Sequence, residues 1–144
     1  MKKFIFYSVI FISIITVWYY LRNPLKPKII INDNVIYVEI AVTPEQISNG
    51  LSYRKSLNQN NGMLFVFGNK DIRPFWMFEM KFPLDMVWID GNKIVAINSD
   101  VPVKTGGYWT VVNPGIPVNR VLELNGGVTD KLKIKVGDGI IYKN

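Results

Sequence analysis

An uncharged run of 18 residues, Phe4–Leu21, separates a short leader from the rest of the chain. As a helix rising about 1.5 Å per residue, the run extends roughly 27 Å, close to the roughly 30 Å hydrocarbon core of a bilayer. Its aromatic residues gather at both ends, where amphipathic rings settle at headgroup level. We therefore expect a single N-terminal transmembrane helix over about 4–21, within an anchor and linker spanning residues 1–28.

A cleaved signal peptide is the alternative to an uncleaved anchor. Cleavage needs small residues before the cut, and Thr16–Leu21 offers none. Basic residues flank the run on both sides, so the positive-inside rule barely discriminates the two orientations. A very short basic head before an apolar run resembles an export signal, which favours a body outside the cytoplasm. We therefore predict a single-pass membrane protein with its soluble domain on the extracytoplasmic side.

The net charge of +6 belongs mostly to residues 1–28. Residues 1–28 hold five basic groups and no acid, which leaves 12 basic and 11 acidic residues in 29–144. A nucleic-acid-binding protein needs a basic stripe on its folded body to displace counterions from phosphates. We therefore predict no nucleic-acid partner, and a membrane partner through residues 4–21.

The chain contains no Cys and no His. This excludes disulfide scaffolds, thiolate or imidazole zinc sites, Cys nucleophiles and triads that use imidazole as the base. The methionines could suggest a soft Cu(I) site, but without Cys or His support they are typical of an irregular core. We predict neither a metal nor a cofactor.

Short strand-like runs separated by turn residues predict a single β-rich domain over 29–144. Asn32–Asn34 and Asp90–Asn92 signal two tight turns, and Thr43–Gln46 has the sequence of a helix capping box. The expected fold is mainly β, a small antiparallel sandwich or partly closed barrel with one short helix. Strands are predicted at 29–31, 35–42, 62–67, 73–80, 84–90, 93–98, 120–124, 131–136 and 139–143, with a long loop over 99–119.

The body carries a series of short motifs. In chain order they are Gly50–Leu57, Gly62–Phe67, Phe75–Met77, Pro83–Asp90, Val121–Leu124 and Ile134–Asp138. Together, over roughly residues 35–143, they resemble the uncharacterised conserved family known as domain of unknown function 192. The resemblance implies a compact, mainly β domain, often preceded by an export signal or membrane segment, and no known reaction. Members typically read Trp-Met-x-Asn-Thr, whereas this chain has Phe78-Glu79-Met80 after Trp76-Met77.

Asp85 and Glu79 are the candidate catalytic residues. Asp85 lies in a predicted strand that is apolar on both faces, so its carboxylate must find hydrogen-bond donors or a cation. It could lie beside Arg54 or Arg73 as a site carboxylate, or clasp backbone N–H groups at the turn 81–83. Paired with Glu79, it could instead serve as one of the two carboxyl groups of a glycoside hydrolase.

Arg54, Arg73, Trp76, Tyr108 and Trp109 are the candidate binding residues. Aromatic rings on loops can stack on sugars or peptides, or fold back as a lid over the core. The predicted function is a membrane-anchored extracytoplasmic β-domain, a binding or accessory module for a glycan or peptide of the cell envelope. The alternatives are a carboxylate-dependent hydrolase acting on envelope glycans and a purely structural envelope component.

Overall fold

The computed structural model describes residues 2–22 and 26–143 of the chain. The helix expected near the N-terminus is present as α1 (Lys2–Arg22). Residues 23–25, part of the predicted linker, lie outside the described residues. Across the described ranges, no helix combines the length and the apolar character needed to cross a bilayer.

The body is built mostly of strands with two short helices, which confirms the mainly β class. Its elements in chain order are β1 (Lys28–Ile31), β2 (Asn34–Ala41), α2 (Pro44–Asn49), β3 (Asn61–Asp71), β4 (Phe75–Trp76), β5 (Leu84–Asp90), β6 (Lys93–Val101), β7 (Lys104–Thr105), β8 (Tyr108–Trp109), β9 (Val111–Val112), β10 (Val118–Asn125), α3 (Val128–Lys131) and β11 (Ile141–Lys143).

Seven strands form one curled half-barrel sheet in the order β11–β1–β2–β3–β10–β5–β6. The sheet is mixed rather than wholly antiparallel as predicted, because β2 and β3 run parallel. A parallel pair needs a crossover connection instead of a hairpin, and α2 with the loop after it supplies one. The remaining described strands form two ribbons, β4–β9 and β7–β8, rather than the second broad sheet of a sandwich.

The local turn and cap signals in the sequence are confirmed. Asn32 and Asp33 adopt positive φ angles of 49° and 63° in the β1–β2 hairpin. Gly91 has a φ of 62° in the β5–β6 hairpin, where a residue with a side chain would be strained. The Thr43 side chain accepts a hydrogen bond from the Gln46 N–H, and the Gln46 side chain bonds back to the Thr43 N–H, which completes the capping box.

Apolar side chains cover both faces of the sheet. Successive residues of a strand point to opposite faces, so β5 buries Val87 and Ile89 on one face and Met86 and Trp88 on the other, as predicted. We call the second face the methionine-rich face. Its buried members are Ala41, Leu51, Met63, Phe65, Met77, Met80, Leu84, Met86, Trp88, Val101, Val118 and Val121.

The strand predicted over 73–80 is wrong beyond the two residues of β4. The chain instead turns back after Met77, whose carbonyl accepts a hydrogen bond of 3.2 Å from the Met80 N–H. Glu79 takes a positive φ of 54° within this turn, which a strand does not allow. The apolar spacing that suggested a strand arises because Met77 and Met80 both enter the core from a turn.

The strand predicted over 131–136 is also wrong, and the body has two short helices rather than one. The segment begins at the end of α3 and continues as turns, with Lys133 at a φ of 56°. The Ile134 N–H donates to the Thr129 carbonyl at 2.9 Å, and the Ile134 side chain is buried. Ile134 and the partly buried Leu132 therefore reach the core from a turn, whereas Val136 is exposed.

The long loop predicted over 99–119 is wrong as well, because it contains strand structure. β6 continues to Val101, the short strands β7, β8 and β9 follow, and β10 begins at Val118. Pro102 precedes β7, glycines separate β7 from β8, prolines and a glycine separate β9 from β10, and Thr110 alone separates β8 from β9.

Replacing Gly62 in β3 tests how tightly β3 packs against β10. A Cβ at Gly62 would lie 2.8 Å from the backbone oxygen of Glu123 and 2.8 Å from Cδ2 of Leu124. We expect Gly62→Ala to lower the free energy of unfolding in urea by roughly 1–3 kcal/mol, the usual cost of overpacking. Gly68→Ala, in the same strand with nothing within 4 Å of its Cβ position, is the matched control. Equal stability of the two variants would contradict this packing.

Candidate functional site

The candidate site is centred on Glu123, a residue that the sequence analysis did not select. Glu123 lies in β10, paired with Met63 of β3 and Met86 of β5, and its side chain is buried on the methionine-rich face. Among the described residues, its Oε2 atom finds no hydrogen-bond partner. Burial raises the pKa of Glu123 to about 8, although nearby Arg54 favours the ionised form. At neutral pH the carboxyl group therefore keeps its proton in most molecules.

A notch with room of about 30 Å³ leads to Glu123 between the end of α2 and β4. Leu51, Phe65 and Trp76 form part of its apolar wall. Gly50 lies beside Glu123 with a φ of 48°, and a Cβ there would come within 3.2 Å of the Phe65 ring and 3.9 Å of Glu123 Oε2. Glycine at position 50 therefore keeps the notch open, and the space suits one group the size of a water molecule.

Four aromatic residues beside the notch form a surface that we call the aromatic cluster: Tyr53, Trp76, Phe78 and Trp109. Trp76 stacks on Phe78 with ring centroids 5.2 Å apart and an interplanar angle of 28°. Trp109 and Tyr53 meet the same Phe78 ring edge-on, at 5.6 Å and 6.3 Å. Trp76 is nevertheless 56% exposed and Tyr53 is 63% exposed. The fold thus brings together two predicted binding residues, Trp76 and Trp109.

Hydrogen bonds between distant segments hold the aromatic cluster in place. The Ser52 hydroxyl donates to the Phe78 carbonyl at 2.8 Å, and the Tyr53 N–H donates to the Glu79 carbonyl at 3.1 Å. These bonds join the loop after α2 to the turn after β4. On the other side β4 pairs with β9, directly after the strand that carries Trp109. The rings are therefore presented by anchored segments.

Tyr108 and Trp109 lie next to each other in β8 but have different surroundings. Tyr108 is 81% exposed, so it does not act as a lid over the core. Trp109 is partly buried against Phe78, and the Lys104 Nζ lies 4.4 Å from the centre of its ring, in a cation–π contact. Of the two, Trp109 belongs to the aromatic cluster.

Among the described contacts neither Arg54 nor Arg73 reaches Asp85, contrary to the site-carboxylate alternative. Arg54 donates two hydrogen bonds to Glu39, at 2.6 Å and 2.7 Å, and these bonds lower the pKa of Glu39. Arg73 donates to the Asn69 side chain at 2.8 Å and lies over the Phe67 ring. Arg54 therefore lies close enough to Glu123 to influence its pKa, whereas Arg73 packs on Phe67.

Asp85 has the surroundings of a structural clasp. Its side chain is completely buried. One carboxylate oxygen accepts from the N–H groups of Asp100 at 2.7 Å and Gly127 at 2.9 Å, and the other accepts from the N–H and hydroxyl of Thr129 at 2.6 Å and 2.7 Å. The clasp therefore joins β5 to β6 and to the start of α3, rather than to the turn 81–83 as predicted.

Glu79 lies apart from that clasp. Its carboxylate pairs with Lys81 at 3.1 Å on the surface. Among the described contacts none joins Glu79 to Asp85, and four donors already occupy the two oxygens of Asp85. This geometry withholds Asp85 from a substrate. In the described residues, no three His, Cys, Asp or Glu side chains come together to hold a metal ion.

Comparison with known proteins finds a family and a shared fold. The model of the family DUF192, described as "Uncharacterized ACR", matches residues 28–142. No curated protein matches the chain.

Two solved bacterial structures are similar to this chain. A protein from Sinorhizobium meliloti 1021, described as a "putative transcription regulator", shares 30% identity with a TM-score of 0.73 over 81% of this chain and 92% of that chain. A protein of unknown function from Novosphingobium aromaticivorans DSM 12444 shares 27% identity with a TM-score of 0.71 over 81% of this chain and 84% of that chain. The shared fold therefore extends over most of each relative.

Replacing Asp85 tests the clasp. In Asp85→Asn, an amide N–H₂ would face N–H groups that now find an acceptor. We expect the free energy of unfolding in urea to fall by roughly 2–3 kcal/mol, because buried donors lose their partner. Asp130→Asn, at an exposed position in α3, is the matched control. If both variants are as stable as the unmodified chain, Asp85 is not a clasp.

Replacing Glu123 tests its proton. The folded chain keeps this proton up to a pKa of about 8, whereas the unfolded chain releases it near 4.5. The stabilising contribution is therefore complete below about pH 4.5 and is lost as the pH rises to about 8. As the pH rises over that interval, we expect the free energy of unfolding of Glu123→Gln to increase relative to that of the unmodified chain by roughly a few kcal/mol.

Urea unfolding at about pH 4 and about pH 9 measures this difference. The matched control is Glu45→Gln, in which an exposed glutamate of α2 is changed by the same chemistry. Its stability should follow that of the unmodified chain at both pH values. A constant difference between Glu123→Gln and the unmodified chain would mean that Glu123 has an ordinary pKa.

Proposed function

Since the chain belongs to the DUF192 family of uncharacterised proteins, we propose its function from its own site: it is a binding module for a glycan of the cell envelope. The observation that carries this proposal is Trp76, which is 56% exposed although it is stacked on Phe78. The platform for the ligand is the aromatic cluster.

An exposed but immobilised ring suits ligand binding. Most large aromatic side chains bury their surface, and exposed apolar patches commonly mark interaction sites. Stacking on Phe78 restricts the rotamers of Trp76 before any ligand arrives, so binding costs little further ordering. Flat ring faces match the apolar faces of sugar rings better than they match a flexible peptide. We therefore assign a glycan rather than a peptide to this surface.

The charge of the body supports this assignment against nucleic acid. Residues 29–144 carry 12 basic and 11 acidic residues, and the Lys104 ammonium group is already placed over Trp109. A body so close to neutral lacks the basic excess that phosphate contacts require. We therefore do not propose for this chain the role in transcription that the description of the Sinorhizobium protein names.

We further propose that the module stays beside a membrane, on the extracytoplasmic side. The support comes from the sequence: an uncharged run over 4–21 with aromatic ends and no small residues for cleavage before Leu21. The helix α1 covers this run. A glycan-binding body on a short spacer would meet envelope polymers close to the bilayer.

Mass spectrometry of the protein from its cell membrane fraction tests the tether. We expect the mature polypeptide to retain residues 4–21 and to stay with the membrane after alkaline washing. A mature start beyond Leu21 with release into buffer would contradict the tether and leave the binding surface unaffected.

Replacing Trp76 tests the binding surface. We expect Trp76→Ala to weaken retention on purified envelope glycan by about fivefold, because the loss of one aromatic stacking contact costs about 1 kcal/mol. Tyr37→Ala, which removes another partly exposed aromatic side chain outside the aromatic cluster, is the matched control and should be retained like the unmodified chain. Unchanged retention of Trp76→Ala, or retention on the peptide fraction alone, would overturn the glycan assignment.

A further inference from the structure

Within the part of the chain that the structure describes, the Oε2 atom of Glu123 has no hydrogen-bond partner, whereas the buried carboxylate of Asp85 is satisfied. Asp85, on the same sheet, receives four hydrogen bonds. Oε2 of Glu123 receives none and lies beside a notch with exposed residues, Ser48 and Trp76, at its edge. Leaving a buried polar group unpaired is costly, so a group that brings donors into the notch would be stabilised there.

The carboxyl group of Glu123 favours a cation over a neutral group. Phe65, Phe75 and Trp76 contribute to the lining of the notch. A cation next to Glu123 changes what the carboxyl group can offer. Ionised Glu123 would make a charge-assisted hydrogen bond, about twice as strong as the neutral bond available to a hydroxyl group.

The volume of the notch limits the size of that cation. About 30 Å³ admits a small group such as an ammonium group. The nearby positive charge of Arg54 is offset by Glu39, which accepts two hydrogen bonds from it at 2.6 Å and 2.7 Å. The ion pair with Glu39 therefore reduces the repulsion that an arriving ammonium group meets from Arg54.

We propose that the notch binds a protonated primary amine, with Glu123 as its counter-charge and Trp76 at its mouth. No covalent bond forms: the carboxyl group releases its proton to solvent, and an N–H of the ammonium group donates to Oε2. Resting on the proposed function, this inference makes the ligand a glycan that carries a free, non-acetylated amino sugar. The sugar ring stacks on Trp76 while the amine enters the notch.

The test uses the full chain in detergent micelles and four small probes. Calorimetry at neutral pH should detect binding of methylammonium and of glucosamine, and much weaker binding of glucose and N-acetylglucosamine. Methylammonium remains protonated at this pH. Its binding should therefore release close to one proton per bound ion, because Glu123 is mostly protonated beforehand. Titrations in buffers of different ionisation enthalpy measure that proton.

Glu123→Gln keeps the size of the side chain but cannot ionise, so its affinity for methylammonium should fall at least about tenfold. Glu45→Gln makes the same chemical change at an exposed position of α2 and should bind like the unmodified chain. Equal binding of methylammonium by both variants, absence of proton release, or equal binding of glucose and glucosamine would each overturn the proposal. Proton release is measured on the unmodified chain, so this test holds even if Glu123→Gln folds poorly.

The outcomes also separate this inference from the glycan-binding function. Methylammonium binding that depends on Glu123, together with normal envelope retention of Trp76→Ala, would keep the amine site and reject the glycan platform. Loss of retention in Trp76→Ala without methylammonium binding would keep the platform and reject the amine site.

Discussion

The adjacent strands β5 and β10 are buried on both faces, and this constraint governs the rest of the structure. Most side chains of the pair are buried among apolar neighbours, so a polar group buried there must find a partner within the protein or keep its proton. The two strands nevertheless contain two buried carboxyl groups, Asp85 and Glu123. Asp85 offsets the cost of desolvation with hydrogen bonds inside the framework, whereas Glu123, at the candidate site, offsets it by keeping its proton.

Asp85 and Glu123 lie on neighbouring strands but are opposite in chemistry. Asp85 receives donors from β6 and from the start of α3, so its charge holds remote segments together. Glu123 faces methionines and aromatic rings, and burial raises its pKa to about 8. A satisfied carboxylate stabilises the fold, whereas an unsatisfied acid beside an open notch is available to a ligand. The aromatic cluster at the mouth of that notch supports a ligand-binding role for Glu123.

Local chemistry predicted the elements whose conformation depends on a few adjacent residues. The hairpins at Asn32 and Gly91 and the capping box at Thr43 follow from backbone preferences that operate within four residues. The segments 73–80 and 131–136 failed for a common reason. Met77, Met80 and Ile134 reach the core from turns, and periodicity cannot distinguish such residues from those of a strand until the facing surface is known.

The sequence by itself determined the mainly β class, the two apolar faces of β5 and the family, and it selected Trp76 and Trp109, which the structure places in the aromatic cluster. It also required a partner for Asp85, but only the tertiary structure identified the donors on Asp100, Gly127 and Thr129. Pairing between distant strands likewise decided the parallel β2–β3 contact and the burial of Glu123. The physical reason is that desolvation depends on every segment that packs around a group, and those segments lie far apart along the chain.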